Sequence, residues 1–270
     1  MDDPFVFAVK IALQAGNLLR SFYNLSGIQA SSKTDRTVVT EADLASDRMI
    51  TSAIHERYPK DEIISEESTH HLDDAQSPIW IIAPLDGTTN FSLGLSIWGV
   101  SIARIINGFP ELGALYFPLI NELYTASHGS GAFLNNKPIA VRAPDPTQPM
   151  SFFACCSRTF RYYDISIPYK PRILGSCAYS YCMVARGTAL LGFDATPKIW
   201  DLAAIWVLVK EAGGKIDAFE GSPPFPILRQ DDFSGKKYPT LASATPEVFS
   251  MGQSKIQRKA KFAFIVQDKP

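Results

Sequence analysis

The chain has 270 residues, of which 46% are hydrophobic and 20% are charged, and its formal net charge is −1. This composition is ordinary for a globular protein with a substantial core, built as one large domain or as two lobes. A net charge near zero argues against a broad surface for nucleic acid or an anionic membrane, so an anionic ligand would need local binding groups.

The sequence also argues against membrane insertion and secretion. No run approaches the roughly 20 apolar residues that span a bilayer, and the N-terminus lacks the basic and apolar regions of a signal peptide. The four cysteines lack the paired spacing of a zinc site or a disulfide framework. We therefore expect a cytoplasmic protein with reduced thiols and with no nucleic-acid or membrane partner.

The first part of the chain is predicted to contain two helices and then short strands. Helical spacing of apolar residues covers residues 2–23, and a capping pattern opens a second helix over 40–57. Residues 26–37 are predicted to form a polar loop or hairpin. Five short strands are then expected, at 63–64, 79–82, 98–106, 111–117 and 122–127, followed by a hairpin that turns at Asn135-Asn136. The strands from residue 98 onward are predicted to form an antiparallel meander.

The second part is predicted to contain mainly helices. Helices are expected over 178–186 and 201–212 and from Thr245 onward, with one strand at 191–193. A proline-rich segment at 143–149 divides an N-terminal lobe, 1–142, from a C-terminal lobe, 150–252, and no element is assigned to 253–270. Antiparallel strands flanked by long helices predict an α+β or layered αβ fold.

The segment 80–91, which reads WIIAPLDGTTNF, carries the most specific chemical pattern. A buried strand ends near Asp86, and Gly87 and Thr88 would then present free backbone amides. A carboxylate binds a hard cation such as Mg²⁺, and free amides bind phosphate. A turn-capping role is the ordinary alternative for Asp86.

Two further acidic features are candidate partners of this turn. Glu66 and Glu67 follow a short predicted strand, where a solvated loop is the alternative explanation. Asp201 follows Trp200 at the predicted start of a helix, where N-capping alone would explain it. None of these features is specific by itself.

Taken together, Glu66-Glu67-Ser68, the segment 80–91, and Trp200-Asp201 followed by 211–214 resemble the inositol monophosphatase family in order and spacing. The similarity runs from the first helix to about residue 250. The resemblance implies a layered αβαβα sandwich, usually a homodimer. It also implies Mg²⁺-dependent, lithium-sensitive hydrolysis of small phosphate monoesters, with two or three Mg²⁺ ions in an intact site.

The resemblance also implies roles for single residues. Glu67 and the Leu85 carbonyl would hold a first Mg²⁺ ion, and Asp86 and Asp201 would hold a second.

The phosphate and the rest of the substrate would meet other residues. Gly87 and Thr88 would bind the phosphate, and Thr88, hydrogen-bonded to Asp43, would orient the attacking water. Beside Asp86, the substrate's hydroxyl groups would contact Gly175, Ser176, Asp194 and Lys198.

Ala83 departs from the family pattern, because the resemblance implies an aspartate there that bridges two metal ions. Two dications about 4 Å apart repel by roughly 17 kcal/mol at an effective dielectric near 20. A bridging carboxylate offsets this repulsion most directly. With alanine we expect weaker metal binding, fewer ions and little or no turnover.

Two interpretations of Ala83 are open. The chain is a natural relative that binds sugar phosphates without turnover, or it is an enzyme whose aspartate was replaced to trap substrate. The second is favoured because the other motif residues are present.

The substrate's alcohol is open as well. Inositol monophosphate or a sugar phosphate is the first choice. Fructose 1,6-bisphosphate, histidinol phosphate or an adenosine phosphate is the alternative among enzymes, and a non-enzymatic binding or regulatory protein is the alternative class. Asp194 stands where inositol-specific members usually carry Glu.

Overall fold

The computed structural model describes residues 3–32, 38–68, 77–145, 147, 151–227, 233 and 235–260. No helix within these ranges is long and apolar enough to cross a membrane. The described chain forms seven helices: α1 (Pro4–Phe22), α2 (Glu41–Arg57), α3 (Thr88–Ser92), α4 (Thr159–Tyr162), α5 (Cys177–Ala185), α6 (Ile199–Glu211) and α7 (Pro246–Lys255).

A short ribbon and a large sheet occupy the first half of the chain. The ribbon pairs β1 (Ser31–Ser32) with β2 (Val38–Val39). The sheet has seven strands whose spatial order follows the chain: β3 (Glu62–Ser65), β4 (Ile79–Asp86), β5 (Gly99–Ile106), β6 (Phe109–Phe117), β7 (Glu122–Ser127), β8 (Gly131–Leu134) and β9 (Lys137–Ile139). β3 and β4 are parallel, and the other neighbours are antiparallel, which confirms the predicted meander.

A second sheet and a second ribbon occupy the other half. Their strands are β10 (Phe152–Cys155), β11 (Tyr163–Ile165), β12 (Lys170–Arg172), β13 (Ala189–Asp194), β14 (Lys215–Ala218), β15 (Thr240–Ser243) and β16 (Ile256–Arg258). The sheet has the order β12-β10-β13-β15-β14, with β10 parallel to both of its neighbours. β11 and β16 form the antiparallel ribbon.

The helices form three layers around the two sheets. α1 and α2 pack on one face of the first sheet, α5 and α6 lie between the sheets, and α7 packs on the far face of the second. One apolar cluster lies between α1, α2 and the first sheet, a second fills the spaces on both sides of α5 and α6, and a third lies between the second sheet and α7. The resulting αβαβα order confirms the predicted layered sandwich.

The first two helices begin where the sequence predicts. Asp3 caps α1, and its carboxylate accepts the Phe5 N–H at 3.0 Å. Thr40 caps α2 in a capping box with Asp43, so the hydroxyl and the carboxylate bind each other's backbone N–H.

The second sheet is the main feature that the sequence analysis missed. Only 191–193 was predicted as a strand there, within what is β13. The strands β10 (FFAC) and β15 (TLAS) have only four residues each, and these are mostly buried, so periodicity cannot assign them. β12 is an exposed edge strand that contains a proline, and this also weakens its pattern.

Two predicted element boundaries need correction. α6 begins at Ile199, so Asp201 occupies its third position and accepts the Lys198 N–H at 2.7 Å, and it is not the N-cap. The chain after 252 continues α7 to Lys255 and then forms β16, although no element was assigned there. Residues 261–270 of the tail lie outside the described residues, and the division into lobes stays a prediction.

α6 approaches the first sheet closely at Gly113. A Cβ added to this glycine would lie 2.8 Å from the Ala204 carbonyl oxygen and 3.0 Å from the Ala204 Cα. The helix can therefore rest on β6 at this point only because residue 113 has no side chain.

We expect Gly113→Val to destabilise the protein by about 1–3 kcal/mol, because the helix must move away from the sheet. Chemical unfolding of the variant measures the loss. Gly235→Ala is the control, since a Cβ there meets nothing within 4 Å. Equal stability of the two variants would contradict the close packing of α6.

Candidate active site

A cavity of about 310 Å³ lies at the end of β4, beside the first turns of α5 and α6. It gathers most of the residues that the sequence pattern singled out: Leu85, Asp86, Gly87, Thr88, Gly175, Ser176, Asp194, Lys198 and Asp201. Asp43, Glu67 and Ala83 do not line it. Segments distant in sequence therefore meet at one place, while their chemical roles stay predictions.

β4 carries Asp86 into the cavity and onto the start of α5. The strand is longer than the predicted 79–82, and its pairing with β5 is irregular between Ala83 and Asp86. The Asp86 carboxylate accepts hydrogen bonds from the Ser176 hydroxyl and, at 3.3 Å, from the Ala178 N–H. Burial raises the pKa of Asp86 from its ordinary 3.8 to about 6.

Two more acids face the same cavity, the buried Asp194 and the half-buried Asp201. Burial raises the pKa of Asp201 well above its ordinary value, and the charges of Glu66 and Asp86 raise it further. Burial also raises the pKa of Asp194. The site therefore concentrates negative charge that a bound cation would stabilise.

Gly87 turns the chain from β4 into α3. Its φ of +84° is left-handed, and a Cβ there would lie 2.9 Å from the Ile97 carbonyl oxygen. Glycine meets both requirements. No side chain caps α3, so the amides at its start face the cavity without a capping oxygen.

The hydroxyl of Thr88 is held between two elements. Its Oγ1 lies 2.9 Å from Asp43 Oδ1 and 3.0 Å from the Leu85 carbonyl oxygen. The predicted hydrogen bond between Thr88 and Asp43 is thus present. Asp43 is buried, and its other oxygen accepts the Thr40 N–H at 2.8 Å.

α2 makes two further polar contacts with the strands of the site. The Ser46 hydroxyl donates to the Pro84 carbonyl at 2.9 Å. Asp47 accepts a hydrogen bond from the Ser65 hydroxyl on β3. One helix of the outer layer therefore fixes both strands that lead to the cavity.

Asn90 is a positioning residue that the sequence analysis did not single out. Its side-chain amide donates to the Ile97 carbonyl at 2.7 Å and to the Leu174 carbonyl at 2.8 Å. Next to it, Gly175 has a φ of +78°, and a Cβ there would collide with the Asn90 side chain. Asn90 thereby joins α3 to the segment that begins α5.

The acidic pair after β3 is oriented differently from the prediction. Glu66 lines the cavity and Glu67 does not. Both lie in the turn that follows β3, and the Glu66 N–H donates to the Ile82 carbonyl at 3.2 Å, which holds this residue beside β4. The structure favours Glu66 over Glu67 as the candidate ligand, and the ligand role itself stays a prediction.

Ala83 is completely buried, and it packs in the apolar cluster between the sheets together with Ile81. Across the described residues, no group of three or more His, Cys, Asp or Glu side chains is arranged to hold a metal ion. The carboxylates at the cavity and the Leu85 carbonyl are suitable donors for one Mg²⁺ ion completed by water. They do not replace a carboxylate between two ions.

The cavity also contains residues that sequence reasoning passed over. Arg158 and Lys237 line it, and so do the thiols of Cys156 and Cys177, which lie within hydrogen-bonding range of the Asp194 carboxylate. Burial raises the pKa of Cys156 to about 12, so this thiol stays protonated at neutral pH. These residues lie next to missed strands or on loops, where the sequence shows no periodic pattern.

Comparisons with known proteins identify the class as phosphatase-like. A histidinol-phosphatase from Chlorobaculum parvum is 33% identical over 226 residues, 79% of this chain and 85% of the relative. A fructose-1,6-bisphosphatase/inositol-1-monophosphatase from Thermotoga maritima is 33% identical over 230 residues, 81% and 86% of the two chains. The structure of the extragenic suppressor protein suhB from Bartonella henselae superposes with a TM-score of 0.75 at 28% identity, covering 92% and 95%.

A sequence model of the inositol monophosphatase family matches residues 1–249. The chain belongs to the inositol monophosphatase family. This confirms the resemblance drawn from the three motifs.

The raised pKa of Asp86 predicts how stability depends on pH when no divalent cation is bound. Because the pKa in the folded state lies above the ordinary 3.8, the free energy of unfolding falls as pH rises through about 6. Asp86→Asn removes this contribution, so the variant should gain about 1–3 kcal/mol over the parent between pH 4 and pH 8.

Chemical unfolding in the presence of a chelator measures this difference at each pH. Asp217→Asn serves as the control, because Asp217 is exposed on β14. A difference between Asp86→Asn and the parent that does not change with pH would contradict the interpretation.

Proposed function

We propose that the cavity binds a small phosphate monoester and that this fold is suited to its Mg²⁺-dependent hydrolysis, with turnover largely lost through Ala83. One observation carries the proposal. The hydroxyl of Thr88 is fixed by Asp43 and the Leu85 carbonyl, directly after the buried Asp86. This arrangement places the Thr88 hydroxyl, which could orient a water molecule, next to the Asp86 carboxylate, which could bind a cation.

The metal would be held by a reduced set of donors. Glu66, the Leu85 carbonyl, Asp86 and Asp201 are the candidates, since they line one cavity and the acids repel one another. Mg²⁺, when bound, would lower the pKa of an attacking water and neutralise charge on the leaving oxygen.

The chain's own residues bind and orient the other participants. The amides that follow Gly87 point to the cavity and would bind phosphate oxygens. Thr88 would accept a hydrogen bond from the attacking water while its own proton is held by Asp43, which fixes the direction of attack. Ser176 holds Asp86 in position through its hydroxyl.

The alcohol part of the substrate would lie towards Asp194 and Lys198. A buried carboxylate is suited to accept hydrogen bonds from hydroxyl groups, and this supports an inositol or sugar phosphate. A cytoplasmic homodimer remains part of the proposal.

A phosphate-binding protein without turnover is the second candidate. Ala83 supports it, because a fully buried alanine in apolar surroundings provides no ligand for a metal ion.

Restoring the missing carboxylate tests the two candidates. We expect Ala83→Asp to increase Mg²⁺-dependent phosphate release by about a hundredfold or more, because the ligand that offsets repulsion between cations is restored. Lithium should inhibit this activity. Phosphate release from inositol monophosphate and a panel of sugar phosphates is the measurement.

Ala83→Asn is the matched control, because it has nearly the same shape without the charge. If the Asp variant releases phosphate from none of the monoesters, the enzyme proposal fails and the binding protein is favoured. Calorimetry with the same esters then tests that second candidate directly.

The orienting role of Thr88 is tested in the Ala83→Asp background. Thr88→Val removes the hydroxyl at nearly constant volume and should lower kcat by about 100-fold or more, with a smaller change in KM. Thr88→Ser retains the hydroxyl and should keep most of the activity. Equal rates for the Val and Ser variants would exclude a role for the hydroxyl.

A further inference from the structure

A second cavity, of about 640 Å³, lies on the outer face of the first sheet, where α1 begins. Its volume is within the range of pockets that hold small molecules. Its walls come from the start of α1 and from strands β5 to β8. None of its described lining residues belongs to the candidate active site, so the two cavities are separate.

A row of paired residues crosses the first sheet at this cavity. Arg104 of β5 pairs with Leu112 of β6, Leu112 pairs with Ser127 of β7, and Ser127 pairs with Gly131 of β8. Leu112 belongs to the apolar cluster shared with α1, so the row lies on the side of that helix. The helix packs mainly on β5 and β6, and Gly131 has no side chain. The row is therefore open towards β7 and β8.

A β-bulge places Glu111 at the cavity beside Leu112. Arg104 pairs with Leu112, but the next residue of β5 pairs with Pro110, so Glu111 is an extra residue on β6. A bulge interrupts the alternation of side chains along a strand, and both Glu111 and Leu112 line the cavity. Glu111 is half-buried, and its carboxylate forms no hydrogen bond or ion pair with the described part of the chain.

Phe133 contributes an aromatic side chain to the same cavity. It is half-buried, and within the described ranges it joins none of the three apolar clusters and contacts no other ring. Phe5 and Ile106 add apolar surface nearby. An unpaired carboxylate and an unstacked ring both bind ammonium groups, the first by a charged hydrogen bond and the second by a cation–π contact.

The remaining charges of the cavity do not suit an anion. Arg104 is the one cation among the described lining residues, and Asp61 binds its guanidinium at 2.9 Å. Asp3 and Glu111 supply two carboxylates. The first turn of α1 adds little positive charge, because its first residue is a proline without an N–H and the next N–H donates to Asp3. This excess of negative charge favours a cationic ligand.

We propose that this cavity is a binding site for a small amphipathic amine, with its ammonium group at Glu111 and its apolar group against Phe133. An ammonium has three N–H donors. Glu111 accepts one, and the hydroxyls of Ser127 and Ser130 accept the others, since both serines line the cavity and neither hydroxyl bonds to a described residue. The inference is independent of the proposed function.

A neutral apolar ligand is the competing explanation. Such a ligand would make the same contact with Phe133, but it would cover the Glu111 carboxylate without giving it a partner. Loss of water from an unpaired carboxylate is unfavourable. The charge of the ligand therefore separates the two explanations.

The test compares phenethylamine, phenethyl alcohol and phenylpropanoate, which share one phenylethyl group and differ in charge. Calorimetry on the full chain with Mg²⁺ measures their affinities. We expect the amine to bind about tenfold more tightly than the other two compounds. Glu111→Gln keeps the shape without the charge and should reduce the amine to the affinity of the alcohol. Phe133→Leu should weaken the amine by about threefold.

Matched controls separate this cavity from the acidic active site, where an amine could also bind. Glu56→Gln removes an exposed glutamate of α2 that lies outside the cavity, and it should leave the affinity unchanged. Asp86→Asn should also leave it unchanged, because Asp86 lines the other cavity. Thermal unfolding verifies that each variant is folded.

Three outcomes would overturn the amine site. The first is equal affinity of the amine and the alcohol for the parent protein, and the second is absence of amine binding. The third is unchanged amine binding in Glu111→Gln together with its loss in Asp86→Asn, which would locate the amine at the active site. None of these results bears on phosphate release, so the proposed function keeps its own test.

Discussion

A single buried carboxylate joins the candidate site to the central layer of the fold. Asp86 ends a strand of the first sheet, and the Ser176 hydroxyl and the Ala178 amide at the start of α5 donate to it. Burial of this charge is unfavourable, as its raised pKa indicates. The contact that places α5 against β4 is therefore also the contact that holds this carboxylate at the cavity, so the packing of α5 and the position of the candidate ligand depend on the same atoms.

Ala83 lies on the same strand and is compatible with the packing of the fold. It packs with Ile81 in the apolar cluster between the sheets, where a small apolar side chain meets no unsatisfied polar group. A carboxylate at that position would have to be paired with a cation to be tolerated in such surroundings. Alanine at position 83 suits the fold, and the turn at Gly87 and Thr88 forms without a carboxylate at that position.

The sequence was sufficient to predict the elements with strong local patterns and not the features that depend on tertiary contacts. Capping at Asp3 and Thr40 located the first two helices, and the three motifs located the cavity. The second sheet was missed because β10, β12, β14 and β15 have only three or four residues each, too few to show a period. Glu66 could not be told from Glu67, because the turn after β3 and its contact with β4 decide which of the two side chains faces the cavity. Arg158 could not be placed at the cavity, because it follows β10, a strand that the hydrophobic periodicity did not reveal.

The outer helix α2 contacts the strands and the turn that lead to the cavity. Asp43 binds Thr88, Ser46 binds the carbonyl of Pro84, and Asp47 binds Ser65. These residues lie within about one turn of α2, at positions i, i+3 and i+4, so this part of the helix can shift only if all three contacts change together. The position of the Thr88 hydroxyl at the cavity is thus coupled to a helix in the outer layer of the fold, and a ligand that stiffens the cavity would also restrict the motion of that helix.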